Sequence, residues 1–197
     1  MPGTARRGRR PGAPDTRADI LEAARALFAE QGFRRTTIRA VAGAAGVDPA
    51  LVHHYFGSKE DLFVAALALP VDPRQVIGAA LAGGADGAGE RLVRAFLSVW
   101  DDPAYRPHLL GLVRGVLEPE GHRLLSEGFL PAVVLPAVDA LGVDQPERRM
   151  ALVASQVAGL ILLRYVLEAE PLASMEPDAV AAVIGPTIQG YLERPLP

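Results

Sequence analysis

The sequence contains no cysteine and a single lysine, Lys59. The first absence excludes disulfides, thiol catalysis, iron–sulfur clusters and cysteine-ligated zinc, and it suits a reducing cytoplasm. No apolar run reaches the ~20 residues that a bilayer span requires. The longest such run, VAGLILLRYVL (157–167), is interrupted by Arg164 and is expected to form a buried helix, so no membrane association is expected. The basic start MPGTARRGRRPGAP is followed by no apolar stretch and does not read as a secretory signal. No stretch alternates long enough to suggest a strand, and no internal repeat is found. Nucleophile–base spacing, a phosphate-cradling Gly loop and a metal-ligand cluster are also missing. That argues against an enzyme, and neither cofactor nor metal is expected.

What remains is a chain of 197 residues, half of them hydrophobic. It is long enough for one large domain or two small ones with a well-buried core. The net charge of −3 is unevenly placed. Residues 1–60 hold nine Arg, one Lys and six acids, a net of +4, while residues 61–197 carry a net of −7. A basic front and an acidic back suggest that the front meets a polyanion.

Residues 1–16 are rich in Gly, Pro and Arg and are expected to be a disordered basic arm. Asp15 or Thr16 then caps a helix over about 17–31, whose Ile20, Leu21, Ala24, Leu27 and Phe28 share one face. Gly32 supplies a stop. Thr36 or Thr37 caps a second, short helix that ends at Gly46. Asp48 caps a third helix, 49–55, with Pro49 at its first position, where a missing N–H is harmless. Gly57 ends it, and Ser58 caps a fourth with Glu60 and Asp61 in its first turn. Pro70 and Pro73 break the chain, and residues 83–90 form a loop. Further helices are expected at 90–100, 103–117, 119–141, 146–169 and 177–192. The fold class is therefore all-α. The turn AAGVD between two short helices is a helix-turn-helix feature.

Within this frame, residues 17–63 resemble the DNA-binding domain of TetR-type transcriptional repressors. The match is carried by Ile20, Ala23, Ala24, Leu27, Phe28, Gly32, Phe33, Thr36, Thr37, Ile38, Ala42, Ala45, Gly46, Val47, Tyr55, Phe56, Lys59 and Leu62. The remainder matches only in being helical and of the usual length. The resemblance implies a three-helix DNA-binding domain at 17–62, then a ligand-binding and dimerisation bundle at 63–197. It also implies a bacterial, cytoplasmic, nucleoid-associated regulator that pairs as a homodimer on double-stranded DNA. An activator or a ligand-independent regulator of the same fold is the alternative.

The stretch GVDPALVHHYFGSKEDLF (46–63) concentrates the chemistry. A reading helix offers its N-terminal residues to base edges in the major groove, which places Pro49, Ala50, Leu51 and His53 or His54 near bases. Small apolar groups there touch thymine methyls, and an imidazole can hydrogen-bond a purine. Free N–H groups at the helix start favour an anion such as phosphate. Tyr55 can give its hydroxyl to a phosphate. Val52 and Phe56, four apart, are expected in the core. Lys59 stands in the first turn of the fourth helix, where a cation is unfavourable, and a phosphate would compensate. Thr37 and Arg39 resemble the family's other phosphate contacts. The family often has Gly or Thr at position 50, Leu at 52 and Tyr at 53, so Ala50, Val52 and His53 leave the operator sequence open. The basic RRGRR, residues 6–10, is either a minor-groove arm or a nonspecific electrostatic tail. A metal held by adjacent His53 and His54 is disfavoured, because helical partners need a spacing of three or four.

In the second half the resemblance implies a ligand cavity and a dimer pair made by 146–169 and 177–192. Phe96, Trp100, Tyr105, Leu109, Leu112, Val113, Phe129 and Gln156 are candidates for an apolar pocket, with plain core packing as the alternative. The few charges on these faces favour a small, neutral hydrophobic effector. Ala154, Ala158, Gly159, Leu162 and Tyr165 form a stripe that would let a partner helix approach closely, with internal packing as the alternative. His108 and His122 are expected at the surface or at helix ends.

Overall fold

The computed structural model describes residues 15–116, 124–139 and 141–196. The expected helix start at Pro119, His122 and the arm at 6–10 lie outside the described residues. Among those described, every regular element is a helix. α1 is Thr16–Arg35, α2 Ile38–Ala44, α3 Pro49–Phe56 and α4 Lys59–Leu67. α5 is Pro73–Leu81, α6 Ala88–Trp100 and α7 Arg106–Val116. α8 runs with a wide π pitch over Leu124–Val134 and continues at α pitch over Leu135–Asp139. α9 is Pro146–Leu160, prolonged at π pitch over Ile161–Val166, and α10 is Pro177–Glu193.

Local chemistry explains the first elements. Asp15 caps α1 by accepting from the Ala18 amide at 3.4 Å. Gly32 is not a stop but a kink: its φ of 78° redirects the chain, and helix resumes to Arg35. Phe33 is thereby turned back, stacking on Phe28 at 5.9 Å and meeting the Phe63 ring edge-on at 5.1 Å. The two threonines divide their work. Thr37 caps α2, accepting from the Ala40 amide at 3.1 Å. Thr36 is buried, its hydroxyl against the carbonyls of Gly32 and Leu27.

α5 is an element that the proline pattern conceals. Pro73 reads as a breaker, yet Asp72 accepts from the Arg74 amide at 2.9 Å and Pro73 takes the first helical position. The fixed φ of proline suits a helix start as well as a helix end. α7 begins later than Pro103 because Asp102 accepts from the Ala104 amide at 2.8 Å and forms a turn first. α9 stops before 169, where Glu168 takes a left-handed φ of 48°.

Two cores organise these helices. The first joins Ile20, Ala24 and Phe28 of α1 to Val41, Val52, Phe56, Leu62 and Phe63, and it includes Ala132 and Val133 of α8. It thus reaches beyond residue 62. The second joins Val93, Leu97 and Trp100 of α6 to Leu109, Leu160, Tyr165, Val180, Ile188 and Leu192. α6 and α10 cross closely at Gly89 and Gly185, where a β-carbon on either would run into the other helix.

The run 157–167 is not the buried helix expected from its sequence. Leu160, Arg164 and Tyr165 are buried, but Leu162, Leu163, Val166 and Leu167 are 42 to 60% exposed. By length and composition Pro146–Val166 is the one helix among the described residues that could cross a membrane. Its Arg164, however, turns inward, donating to the carbonyls of Leu172 at 2.6 Å and Met175 at 2.8 Å.

Candidate nucleic-acid interface

α3 is a short helix with two unlike faces. Val52 and Phe56 are buried beneath it. Ala50, His53, His54 and Tyr55 are exposed above, and Pro49 and Leu51 are half-buried at its start. The Arg17 guanidinium lies 5.2 Å from the Phe56 ring and helps fasten α1 under α3. The Arg25 guanidinium ties α1 to α4 by donating to the Ala66 carbonyl at 2.9 Å. The outward side chains therefore rest on a rigid base.

One expectation about the start of α3 is corrected. Its amides are not free for an anion. Pro49 has none, the Ala50 amide donates to the Asp48 carboxylate at 2.7 Å, and the Leu51 amide donates to the Asp48 carbonyl at 2.9 Å. Asp48 supplies the negative charge that the helix dipole favours. A phosphate near this end must be held by side chains.

His53 Nδ1 lies 2.8 Å from the Gly57 carbonyl oxygen. The His54 and Tyr55 rings meet edge-on at 5.6 Å. Tyr55 remains 42% exposed. Thr37 and Arg39 are exposed at the start of α2. The Thr37 oxygen is occupied as an acceptor by the Ala40 amide, which leaves its proton to donate.

Lys59 has partners within the protein. Its ammonium donates to the Arg34 carbonyl at 3.3 Å and lies 4.4 Å from the Phe33 ring centre. The kinked end of α1 thus offsets the dipole penalty within the protein itself. Burial pulls the Lys59 pKa below its ordinary value, with the nearby Glu60 charge opposing. An ammonium has three N–H donors, so two remain.

Other contacts escaped the sequence reading. Arg74 bridges α4 and α5, donating to Asp61 at 2.6 Å and to Asp72 at 2.9 Å. Hydrogen bonds from Ser58 and then Arg74 hold the Asp61 carboxyl below its ordinary pKa, and Arg74 does the same for Asp72. The Gly57 carbonyl beneath His53 was also missed, and the spacing of four between those residues is its only trace in the sequence.

The expected ligand residues do not form one group. Phe96, Trp100, Tyr105, Leu109, Leu112 and Val113 do gather in or against the second core. Phe129 does not: it packs against the first core, because α8 leans on α1 and α4. Gln156 reaches the Tyr191 hydroxyl at 3.5 Å. A cleft of about 470 Å³ opens between α1, α8 and α9, with Arg34, Arg35, Glu127 and Glu147 among its walls. None of the eight expected residues lines it.

In the expected dimer stripe, Ala158 and Leu162 are exposed and Ala154 and Gly159 are half-buried. Tyr165 departs from the stripe. It is 5% exposed, sits 5.0 Å from the Trp100 ring and donates to Asp101 at 3.1 Å. The π pitch that begins at Ile161 changes which residues share a face and turns Tyr165 inward. Burial, and then the Asp101 charge, push its pKa up.

Known proteins share both parts of this architecture. Residues 20–66 match the family model described as bacterial regulatory proteins, tetR family, and residues 86–192 match the tetracyclin repressor-like, C-terminal domain. The crystal structure of a TetR-family regulator from Streptomyces coelicolor A3 is 46% identical, with 94% of this chain and 98% of that chain covered and a TM-score of 0.51. The transcriptional regulator BetI of Rhizobium meliloti is 44% identical over 54 residues, 27% of each chain. The repressor KstR2 of Mycobacterium tuberculosis is 46% identical over 46 residues, 23% of each chain. The match spans about a quarter of the length of those curated relatives. A capped helix-turn-helix with an exposed polar face, joined to a helical bundle that matches over most of its length, places this chain in the TetR family, among DNA-binding transcriptional regulators rather than enzymes.

Proposed function

We propose that the chain is a repressor that binds a palindromic operator as a homodimer and leaves it when a small hydrophobic effector binds. The observation that carries the DNA-binding part is α3 itself: a buried Val52–Phe56 underside presents His53, His54 and Tyr55 to solvent. Beside it stand exposed Thr37 and Arg39, and Lys59 with donors to spare. His53 and the start of α3 face base edges, while Thr37, Arg39, Tyr55 and Lys59 take phosphates.

The homodimer reading is supported by the second half. Leu162, Leu163 and Val166 of α9, Leu167 just after it and Val183 of α10 leave an apolar face open, with Val183 64% exposed. Such a face is costly in water and suits a twin copy of the same pair of helices. A twin is favoured over a lipid bilayer because Arg164 and Tyr165 are committed to inward bonds. Two reading helices then sit about one DNA turn, ~34 Å, apart. Effector release requires a ligand with unequal affinity for the bound and free spacings of the two heads. The ring cluster of Phe96, Trp100 and Tyr165 is packed, with Trp100 and Tyr165 buried, and would have to open to admit such a molecule.

Selection of bound duplexes from random sequence tests this. The expected result is a palindrome with half-sites one turn apart and affinity that falls steeply with salt. Lys59→Ala should weaken all duplexes alike and flatten the salt slope by about one unit. Unchanged affinity in that variant would remove Lys59 from the phosphate contacts.

A further inference from the structure

The end of α3 fixes the chemistry that His53 can offer. Its carbonyl accepts from the Gly57 amide at 2.8 Å, and its ring nitrogen Nδ1 lies 2.8 Å from the Gly57 carbonyl oxygen. The two residues thus exchange a pair of hydrogen bonds. Gly57 makes this possible by adopting φ 76° and ψ −72°, which turns its carbonyl back toward the helix. A side chain at position 57 would strain that conformation.

A carbonyl oxygen can only accept. The proton of the bond must therefore sit on Nδ1. In the neutral ring the other nitrogen, Nε2, is then left without a proton and is an acceptor only. His53 is exposed, and Nε2 lies on the side of the ring away from the Gly57 carbonyl. His54 has no comparable anchor: its ring rests edge-on against Tyr55, which sets no tautomer.

We infer that His53 is a specificity residue that accepts, through Nε2, a hydrogen bond from an exocyclic amino group in the major groove. This rests on the reading of α3 as the helix that enters the duplex. The major-groove edges offer two donors of this kind, N6 of adenine and N4 of cytosine. Guanine N7 and O6 and thymine O4 are acceptors, and each would face the Nε2 lone pair with no proton between them. A free imidazole could present either nitrogen as the donor. The Gly57 carbonyl removes that choice, and with it the contacts to guanine and thymine.

The test uses the full chain at mildly alkaline pH, where imidazole is neutral. Duplexes are selected from a random library with the wild-type protein and with His53→Asn. Asparagine keeps an N–H for the Gly57 carbonyl, but its side chain ends one bond short of the Nε2 position, so its Oδ1 acceptor does not reach the same base edge. One base pair in each half-site is expected to lose its preference in the variant by roughly tenfold. In the wild-type duplex, that adenine is then replaced by purine, or that cytosine by 2-pyrimidinone, which deletes the amino group alone. This should weaken wild-type binding by roughly tenfold and leave His53→Asn binding unchanged. Wild-type affinity that ignores the deletion overturns the inference while leaving DNA binding intact, and so does a variant that keeps every base preference. If the wild-type protein enriches no duplex at all, the DNA-binding reading falls and this one falls with it.

Discussion

Each of the first four helices opens with a side chain that accepts from its own first turn: Asp15, Thr37, Asp48 and Ser58. Among the later helices α5 is capped by Asp72, but α6, α9 and α10 open at Gly87, Gln145 and Glu176 with no side-chain cap bond. The burial pattern divides the same way. α1, α2 and α3 hide their apolar residues among themselves, α4 and α8, whereas Leu162 of α9 and Leu167 just after it are about half exposed or more. The contrast teaches where each half gets its structure. The reading head is specified locally, and α8 completes its core. The body holds together through long-range crossings, and one of its faces waits for another surface.

The strongest way to break this comparison is Phe28→Ala. Phe28 is fully buried at the centre of the head. Its loss should cost about 3–5 kcal/mol. Hydrogen exchange should show α1 to α4 losing protection while α6 and α10 keep theirs. Equal loss in both halves would mean that they form one cooperative unit.

A smaller effect is expected at the open face. Leu162→Glu with Leu167→Glu should remove about 2 kcal/mol per leucine from a buried subunit contact. If the homodimer forms as proposed, sedimentation should show dimers for the wild-type protein and monomers for the variant, with the melting of the isolated subunit little changed. A double variant that stays dimeric would move the subunit contact elsewhere.

The caps sharpen the contrast. Asp48→Ala should cost about 1 kcal/mol, because it frees the Ala50 amide. Glu176→Ala, at a start with no side-chain cap bond, should change urea midpoints by almost nothing. A large effect at Glu176 would give the body the local specification denied to it above.

The smallest effect concerns the strap between α4 and α5. The folded-state pKa values of Asp61 and Asp72 lie below 3.8. The unfolded chain therefore takes up these protons first as pH falls. The stability they add is complete above about pH 4 and is lost as pH drops through the lower folded values. Arg74→Ala should destabilise by less than about 1 kcal/mol at neutral pH, since the pair is partly exposed. The gap between variant and wild type should close in acid, as denaturant melts at each pH would show.

How much could be read beforehand follows the same division. Asp48, Pro49 and Gly57 announced α3 because capping, a fixed φ and a left-handed turn act within a few residues. The outward position of His53, His54 and Tyr55 followed from helical spacing alone. Pro73 misled, since a proline looks the same whether it ends one helix or begins the next. The partners of Lys59 inside the protein, the Arg34 carbonyl and the Phe33 ring, were not legible because they are 25 and 26 positions away.

By itself, then, the sequence determined the helical class, the order of the four capped helices and the side chains that α3 shows to solvent. These depend on interactions between residues a few positions apart. Tertiary structure alone decided that Phe129 joins the head and that Tyr165 turns inward beside Trp100. It also decided that 157–167 lies half open. These depend on how helices distant in the chain cross and where the pitch changes. None of these is written into the periodicity of one helix.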